Sequence, residues 1–330
     1  MKLKQLTKIF MLSYFALCTM LVSCGHKVKT TSTDLKLSTA DSVQLAITLT
    51  KPNGAKKTPL IVLIHGSGND SRENPYYKML TNEFCGIGFS VLTYDKRGCD
   101  SSTGNWLTAP FSYLKDDVIT IINNFSKDTS ITQIGLWGGS EGSNVAVWAA
   151  SESKIIDFVI AQSFTSMTFA DQNKFVKLNR VKNYPMVTEQ KINELLKLQD
   201  LLYNFVRTRN GYTEYLNSFN SFRNESWFTD ILGEPVSEQG LWSKWYKTKL
   251  DINSTEFIKN INIPVLFVWG QNDQLIDVNK SLQMAKSVKQ DNNLIFKIFD
   301  NADHSLYAGG TKPIHLKFMK EWLRKNVTKE

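Results

Sequence analysis

The chain has 330 residues, of which 42% are hydrophobic and 21% charged, so it is long enough for one large globular α/β domain with an insertion, or for two domains. Its net charge is +8; with Lys2, Lys4 and Lys8 set aside, 36 basic residues face 31 acidic ones, a balance of +5. No basic run or basic-aromatic repeat occurs, so nothing in the sequence indicates nucleic-acid binding.

The N-terminus is typical of a secretory signal peptide, which we place at residues 1–23. A lysine-rich start precedes residues 9–22, an apolar run of 14 residues that is short for a membrane span. The run ends in Leu21-Val22-Ser23-Cys24, which resembles a bacterial lipobox, so Cys24 is the expected lipid attachment. The polar residues 24–34 are predicted to form a flexible tether. These features predict an exported lipoprotein at a periplasm-facing membrane surface; an ordinary signal peptide with a chance cysteine is the alternative.

Strands and helices alternate along the body of the chain. Alternating apolar residues at 43–50, together with 35–37, predict an antiparallel start. Continuous apolar runs then predict buried, mostly parallel strands: 60–64, 89–94, 131–137, 155–161, 264–269 and 294–299. Helical patterns lie between or after these strands: 75–84, 111–125, 144–150, 279–289 and 314–326.

The alternation stops between residues 163 and 263, where the pattern is helical and rich in aromatic residues. The clearest helix there is 188–209, with apolar residues at helical spacing and a glycine beyond its end. We therefore expect a core made of 35–163 and 264–330, with a helical lid inserted at 164–263.

The segment Gly138-Gly139-Ser140-Glu141-Gly142 lies between a predicted strand and a predicted helix of small residues. Strand, Gly-x-Ser-x-Gly and helix together form the context of a nucleophile elbow. The glycines let strand and helix pass closely, and the helix N-terminus favours an oxyanion. Ser140 is therefore the candidate nucleophile, although this motif alone also fits a plain glycine-rich loop.

A serine nucleophile needs a base, and the chain has four histidines. His26 lies in the tether, His65 precedes a tight glycine turn that it would support, and His315 lies on the terminal helix in a pattern that suits a surface or a flank of the domain. His304 alone occupies a loop after the last predicted strand, on the side of the sheet where the elbow lies. It is the candidate base.

Three aspartates are candidates for the acid that orients this base. Asp273 follows the strand before the histidine loop, Asp277 lies four residues later, and Asp95 ends an earlier strand. The chain order Ser, Asp, His favours Asp273 over Asp95, with Asp277 as the next choice.

The oxyanion of an acyl-transfer reaction needs two N–H donors. The backbone amide of Glu141, directly after the nucleophile, is one candidate, and the amide of Ser67 is the other, with Gly68 as the alternative. Cys85 and Cys99 flank a predicted strand that would hold them apart, so free thiols are expected. No metal-binding or nucleotide-binding motif occurs, and neither a metal nor another cofactor is expected.

Five segments that follow one another along the chain resemble the α/β-hydrolase fold family of serine hydrolases: His65-Gly66-Ser67-Gly68, Tyr94-Asp95-Lys96-Arg97-Gly98, Gly138–Gly142, Gly270-Gln271-Asn272-Asp273 and Asp303-His304. Within it, the chain is most similar to the bacterial serine aminopeptidase-like and esterase subgroup. The resemblance implies a mostly parallel sheet flanked by helices, with the lid between the strand after the nucleophile helix and the strand that carries the acid. It also implies Ser140 as nucleophile, Asp273 as acid and His304 as base. Family members often have glycine before the histidine, where this chain has Asp303.

These features predict a carboxylesterase-like hydrolase that acts on a small-molecule substrate through an acyl-enzyme. An amidase or aminopeptidase of the same fold is the first alternative, and an acidic cluster in the lid would favour it. The alternative of another class is an inactive lipoprotein that binds a ligand.

Overall fold

The structure, a computed structural model, describes residues 28–241 and 243–327. The predicted signal peptide and the predicted lipid attachment at Cys24 lie outside these ranges. Among the residues described, no helix is both long enough and apolar enough to cross a membrane.

Eight strands form one sheet: β1 (Thr30–Ser38), β2 (Gln44–Pro52), β3 (Thr58–Ile64), β4 (Ser90–Tyr94), β5 (Ile131–Gly139), β6 (Phe158–Gln162), β7 (Val265–Gly270) and β8 (Leu294–Phe299). Their spatial order is β1-β2-β4-β3-β5-β6-β7-β8. β2 pairs antiparallel with both β1 and β4, and the other neighbours are parallel. Every residue of β4, β6 and β7 is buried, which is why these strands are continuous apolar runs in the sequence.

The described residues also form helices α1 (Pro75–Cys85), α2 (Ser112–Phe125), α3 (Glu141–Glu152), α4 (Phe169–Val181), α5 (Glu189–Thr208), α6 (Tyr212–Asn220), α7 (Phe228–Ile231), α8 (Glu238–Leu241), α9 (Lys244–Lys249), α10 (Thr255–Lys259), α11 (Val278–Val288) and α12 (Leu316–Asn326). The predicted core elements are confirmed with shifts of a few residues at their ends. β8 has the predicted bounds, whereas β6 begins three residues late, and Asp157 directly before it is bonded to Ile134 of β5. Its N–H donates to the Ile134 carbonyl, and its carboxylate accepts the Ile134 N–H.

The tether prediction is wrong for residues 30–34, which belong to β1. The whole of β1 pairs with β2, from Thr30 opposite Pro52 to Ser38 opposite Gln44. Its side chains are almost all exposed, because it is the outermost strand of the sheet. Backbone hydrogen bonds to β2, rather than buried side chains, hold β1 in the sheet. Its polar residues therefore show no apolar pattern from which a strand could be predicted.

Helices α4 to α10 lie between β6 and β7, where the helical insertion was predicted. The insertion has its own apolar core, which includes the fully buried rings of Phe205, Phe222 and Trp227. Phe169 and Tyr246 pack against both this core and the core of the sheet. The insertion is therefore joined to the sheet by packed side chains.

Both cysteines of the described residues are buried free thiols, Cys85 at the end of α1 and Cys99 after β4. This confirms the expectation that they are not bridged. Burial raises the pKa of Cys85 to about 12, which makes it an inert thiol.

Candidate active site

Ser140 lies between β5 and α3 with backbone angles of φ 53° and ψ −122°. Residues other than glycine rarely adopt a positive φ. Neighbouring glycines make the turn possible: a Cβ on Gly138 would overlap the carbonyl of Gly142, and a Cβ on Gly142 would overlap the carbonyl of Ile64. The Gly-x-Ser-x-Gly pattern therefore follows from steric limits at the crossing of strand and helix.

The structure brings two of the predicted site residues into direct contact. Oδ2 of Asp273 lies 2.8 Å from Nδ1 of His304. Oδ1 of Asp273 accepts the backbone N–H groups of Leu275 at 2.8 Å and Ile276 at 2.9 Å. The carboxylate is fully buried, whereas 22% of the His304 side chain is exposed. The aspartate is thus fixed in place and orients a ring that ligands can reach.

The two rival acids have other partners. Asp95 is completely buried, forms an ion pair with Arg72 and accepts the Arg72 backbone N–H at 2.8 Å. Asp277 caps α11 by accepting the Lys280 N–H at 3.0 Å. Asp303, beside the base, accepts two backbone N–H groups of its own loop. Of these four aspartates, only Asp273 forms a hydrogen bond with the His304 ring.

The remaining described histidines are structural. Nε2 of His65 lies 3.0 Å from the carbonyl oxygen of Tyr94, so the ring supports its loop as expected. Burial and the charge of Lys96 lower the pKa of His65 to about 4. The expectation that His315 suits a surface is wrong: it is completely buried, neither ring nitrogen has a hydrogen-bond partner, and burial lowers its pKa to about 3.

Ser140 and His304 line the same pocket, together with Tyr76, Trp137 and Gln162. Among the hydrogen bonds of the described residues, none joins the Ser140 hydroxyl to the His304 ring. Contacts of this kind are often longer before substrate binds. The two side chains thus line one cavity.

Ser163, which follows β6, holds the histidine loop in place. Its hydroxyl donates to the His304 carbonyl at 2.7 Å, and its own N–H donates to the Val268 carbonyl at 2.8 Å. Its φ of 54° is unusual for a serine. Sequence reasoning missed this residue, because no motif surrounds it.

The proposed oxyanion donors lie on another side of Ser140. Ser67 and Glu141 line a second pocket with it. A Cβ added to Gly66 would lie 3.6 Å from that of Ser140, which shows how closely this loop passes the elbow. In the described parts of the chain, neither the Ser67 amide nor the Glu141 amide donates a hydrogen bond, and the first amides of a helix have no partner within it. Among the described residues, neither N–H group therefore has a protein acceptor.

A buried charge cluster includes two residues that line this pocket, Glu141 and Lys249. The Glu141 carboxylate pairs with Nζ of Lys96 at 3.4 Å and with Nζ of Lys249 from α9. Burial alone would raise the pKa of Glu141, but the two ammonium groups lower it below its ordinary value. Burial lowers the pKa of Lys249 against the attraction of Glu141. The Glu141 carboxylate is thus held in its ionised form between the Lys96 and Lys249 side chains.

Sequence reasoning had assigned only the backbone amide of Glu141 and had not singled out either lysine. Lys96 lies in the quoted Tyr94–Gly98 segment, which was a usable signal. Lys249 lies in the insertion, where no motif indicated it. No group of three or more metal-binding side chains occurs in the part of the chain that is described.

A family model described as alpha/beta hydrolase fold matches residues 59–311 of the chain. An uncharacterized 31.7 kDa protein from the traX-finO intergenic region of Escherichia coli is 24% identical over 308 residues, which cover 89% of this chain and 99% of that protein. The Pyrococcus furiosus esterase Pf2001 is 19% identical with a TM-score of 0.62, and the match covers 90% of this chain and 92% of the esterase. Est1E from Butyrivibrio proteoclasticus is 17% identical with a TM-score of 0.54, over 88% of this chain and 96% of Est1E.

Proposed function

The chain belongs to the α/β-hydrolase fold family, and from this premise we propose that the hydrolase cleaves carboxylic esters through an acyl-enzyme formed on Ser140. The observation that carries the proposal is the hydrogen bond between Asp273 and the His304 ring. That ring lines the same pocket as Ser140, whose backbone has a positive φ. Two of the solved structures with this fold are of proteins described as an esterase or named Est1E, which supports the ester class.

In the proposed mechanism, the Ser140 oxygen attacks the ester carbonyl carbon while His304 accepts the hydroxyl proton. Asp273 holds the ring through Nδ1, which leaves Nε2 to take the proton and stabilises the resulting imidazolium. The amides of Ser67 and Glu141 donate to the oxyanion. The tetrahedral intermediate then expels the alcohol, which takes the proton from His304.

The second half of the reaction uses the same groups. His304 removes a proton from water, and the resulting hydroxide attacks the acyl carbon on Ser140. The oxyanion forms again at the two amides, the bond to Ser140 oxygen breaks, and the serine regains its proton from His304. The carboxylic acid leaves, and the site returns to its starting state without a cofactor.

The charge next to the elbow favours esters over aminoacyl substrates. An aminopeptidase binds a protonated amine on the acyl part of its substrate, and two acidic side chains of α5 in the insertion, Glu194 and Asp200, pair on the surface with Lys191 and Lys174. The pocket beside the elbow is lined by Lys249 and by Glu141, which pair with each other. A substrate ammonium there would meet a carboxylate that already has lysine partners.

The test is hydrolysis of p-nitrophenyl butyrate together with labelling by a fluorophosphonate probe. We expect turnover and a single adduct at Ser140 in the wild type, and neither in Ser140→Ala. Ser151→Ala, which removes a hydroxyl from the far end of the same helix, should retain both. Wild-type turnover by Ser140→Ala would refute the mechanism, and an enzyme that forms no adduct would indicate an inactive ligand-binding protein instead.

Export and lipid anchoring through Cys24 are a separate proposal, supported by the sequence of residues 1–24 alone. Radiolabelled palmitate should enter the wild-type protein in a bacterial host and be absent from Cys24→Ser. The Cys85→Ser variant serves as the matched control, because that thiol is buried in the folded core. Equal labelling of the wild type and Cys24→Ser would contradict the anchor.

A further inference from the structure

Two pockets open on different sides of Ser140. One contains His304 and Tyr76, and the other contains Ser67 and Glu141. Under the proposed function, His304 delivers a proton to the departing alcohol, so the alcohol occupies the pocket with the histidine. The acyl group then extends into the other pocket, which we call the acyl pocket.

The acyl pocket is small, with a volume of about 80 Å³. About 10–15 Å³ of cavity volume holds one water molecule, so the pocket has room for roughly six heavy atoms. Apolar side chains form much of its lining, among them Met167, Ile252 and Ile276. The pocket therefore fits a short, apolar acyl chain.

Phe169, the first residue of α4, lines the acyl pocket from the insertion. Its ring meets that of Tyr246 edge to face, with 6.2 Å between the ring centres. The ammonium group of Lys249, which pairs with Glu141, lies 3.7 Å from the centre of the Phe169 ring. Both contacts are favourable for an aromatic ring, so they hold Phe169 in place as a wall of the pocket.

A larger cavity lies within the insertion, and Phe169 lines this cavity as well. We call it the insertion cavity; its volume is about 250 Å³. Its apolar lining includes Leu198, Leu202, Phe219 and Leu241. An engineered apolar cavity of about 150 Å³ binds benzene, so the insertion cavity has room for a hydrocarbon chain. The side chain of Phe169 lies between this space and the pocket beside Ser140.

Hydrogen bonds within the protein engage polar side chains at the insertion cavity. The Tyr203 hydroxyl donates to the amide oxygen of Gln199 at 3.1 Å, and the ammonium group of Lys177 donates to the Ile231 carbonyl. All three side chains line the cavity. Together with the apolar lining, these bonds suit the cavity to an uncharged chain.

We infer that Phe169 determines which acyl groups the enzyme accepts. Its ring ends the acyl pocket and keeps the acyl chain out of the insertion cavity, so the preferred substrates are esters of acids with up to about six carbons. Removing the ring joins the two spaces and admits longer chains. This assignment rests on the proposed esterase function and adds the substrate class.

The first experiment measures kcat/KM for p-nitrophenyl butyrate, hexanoate, octanoate and decanoate. In the wild type, kcat/KM should fall roughly tenfold or more from hexanoate to decanoate, because a full pocket discriminates against one added methylene by about that factor. Phe169→Ala should reverse this trend. Each methylene that enters the insertion cavity contributes about 0.8 kcal/mol, or about fourfold, so three of them should raise kcat/KM for decanoate by roughly 60-fold.

A second substitution tests whether the longer chain enters the insertion cavity. Leu202→Trp, added to Phe169→Ala, places a larger side chain in the cavity and should cancel the gain on decanoate while leaving butyrate unchanged. Leu201→Trp is the matched control, because Leu201 is half-buried on the same helix and does not line the cavity. Added to Phe169→Ala, it should preserve the gain. Equal effects of the two tryptophans would overturn the assignment of the cavity.

Two outcomes would overturn the role of Phe169. Wild-type enzyme that hydrolyses decanoate as readily as hexanoate would do so while leaving the esterase function intact. A folded Phe169→Ala variant with no gain on decanoate would do the same. If Phe169→Ala does not fold, Phe169→Leu should show a smaller gain in the same direction, and its absence would be equally contrary.

Ligand binding provides a readout that does not depend on turnover. Hexanoate should raise the unfolding temperature of Ser140→Ala more than decanoate does, and adding Phe169→Ala should reverse that order. If the wild type hydrolysed none of the esters, this measurement would still decide the role of Phe169. Equal shifts by the two acids in Ser140→Ala would refute the limit on chain length.

Discussion

Replacing Glu141 with glutamine should destabilise the protein strongly, because it removes the only anion from a buried group of three charges. The change keeps the size of the side chain and the backbone amide of residue 141. It leaves Lys96 and Lys249 facing each other at 4% and 7% exposure. Breaking a buried ion pair by removing one partner costs about 3–5 kcal/mol. With a urea m-value of about 3 kcal/mol per molar, the unfolding midpoint should fall by about 1–1.7 M.

The pH dependence of this loss has a definite sign. In Glu141→Gln, Lys249 loses the carboxylate that raises its pKa against burial, so its folded-state pKa falls further below its unfolded value of about 10.4, and the unfolded state binds more protons. Stability of the variant should therefore rise as the pH increases from 7 towards 10, and the deficit should shrink. In the wild type, the pKa of Glu141 is lowered in the folded state, so its contribution is present above its unfolded value and is lost as the pH falls through the folded one.

Urea titrations followed by circular dichroism at pH 7 and pH 9.5 provide the assay. The control is Lys249→Met, which leaves one anion with one cation and should shift the midpoint much less. A Glu141→Gln midpoint that matches the wild type would refute the charge-balance reasoning. So would a loss in Lys249→Met as large as that in Glu141→Gln.

Three further perturbations address the rest of the site and the core. Asp273→Asn should lower kcat by about 10³- to 10⁴-fold, because an asparagine no longer holds His304 in the required tautomer. Circular dichroism should show an unchanged fold, and retained activity would indicate that another residue is the acid. Gly142→Ala should cost about 1–3 kcal/mol in urea unfolding and most of the esterase activity, since its methyl group overlaps the Ile64 carbonyl; an unaffected variant would refute the steric account of the elbow. His315→Leu should make the stability of the fold less sensitive to acid, because the buried ring has a folded pKa of about 3 against about 6.5 in the unfolded chain. Wild-type stability should therefore fall by about 1.4 kcal/mol per pH unit as the pH drops through that window. Urea midpoints of wild type and variant that change in parallel from pH 7 to pH 5 would contradict this.

Local features of the chain were predicted well. The bounds of β8 and the start of α1 at Pro75 agree with the predictions, since apolar runs and the residues that begin a helix act over a few positions. The elbow is local in the same sense. A side chain in place of Gly138 or Gly142 would overlap nearby backbone atoms of the strand, turn and helix. The spacing of Gly138, Ser140 and Gly142 therefore follows directly from these contacts.

The choice among the candidate acids was not local. Asp273, Asp277 and Asp95 all lie in loops beyond predicted strands, and chain order was the only guide. The structure separates them by their partners: His304, a helix N-terminus and an arginine, respectively. Asp273 and His304 are 31 residues apart in the chain, and their hydrogen bond depends on how two loops meet at the edge of the sheet. The spacing of residues along the sequence does not specify that meeting.

The sequence by itself determined the alternating α/β core, the elbow and the position of the helical insertion, because each depends on periodicity or steric limits over short stretches. Only the tertiary structure showed that Lys249 joins Glu141, that His315 is buried and that residues 30–34 form an edge strand. The physical reason is common to all three. Burial and pairing between distant segments depend on which surfaces meet, and residue type alone does not specify that.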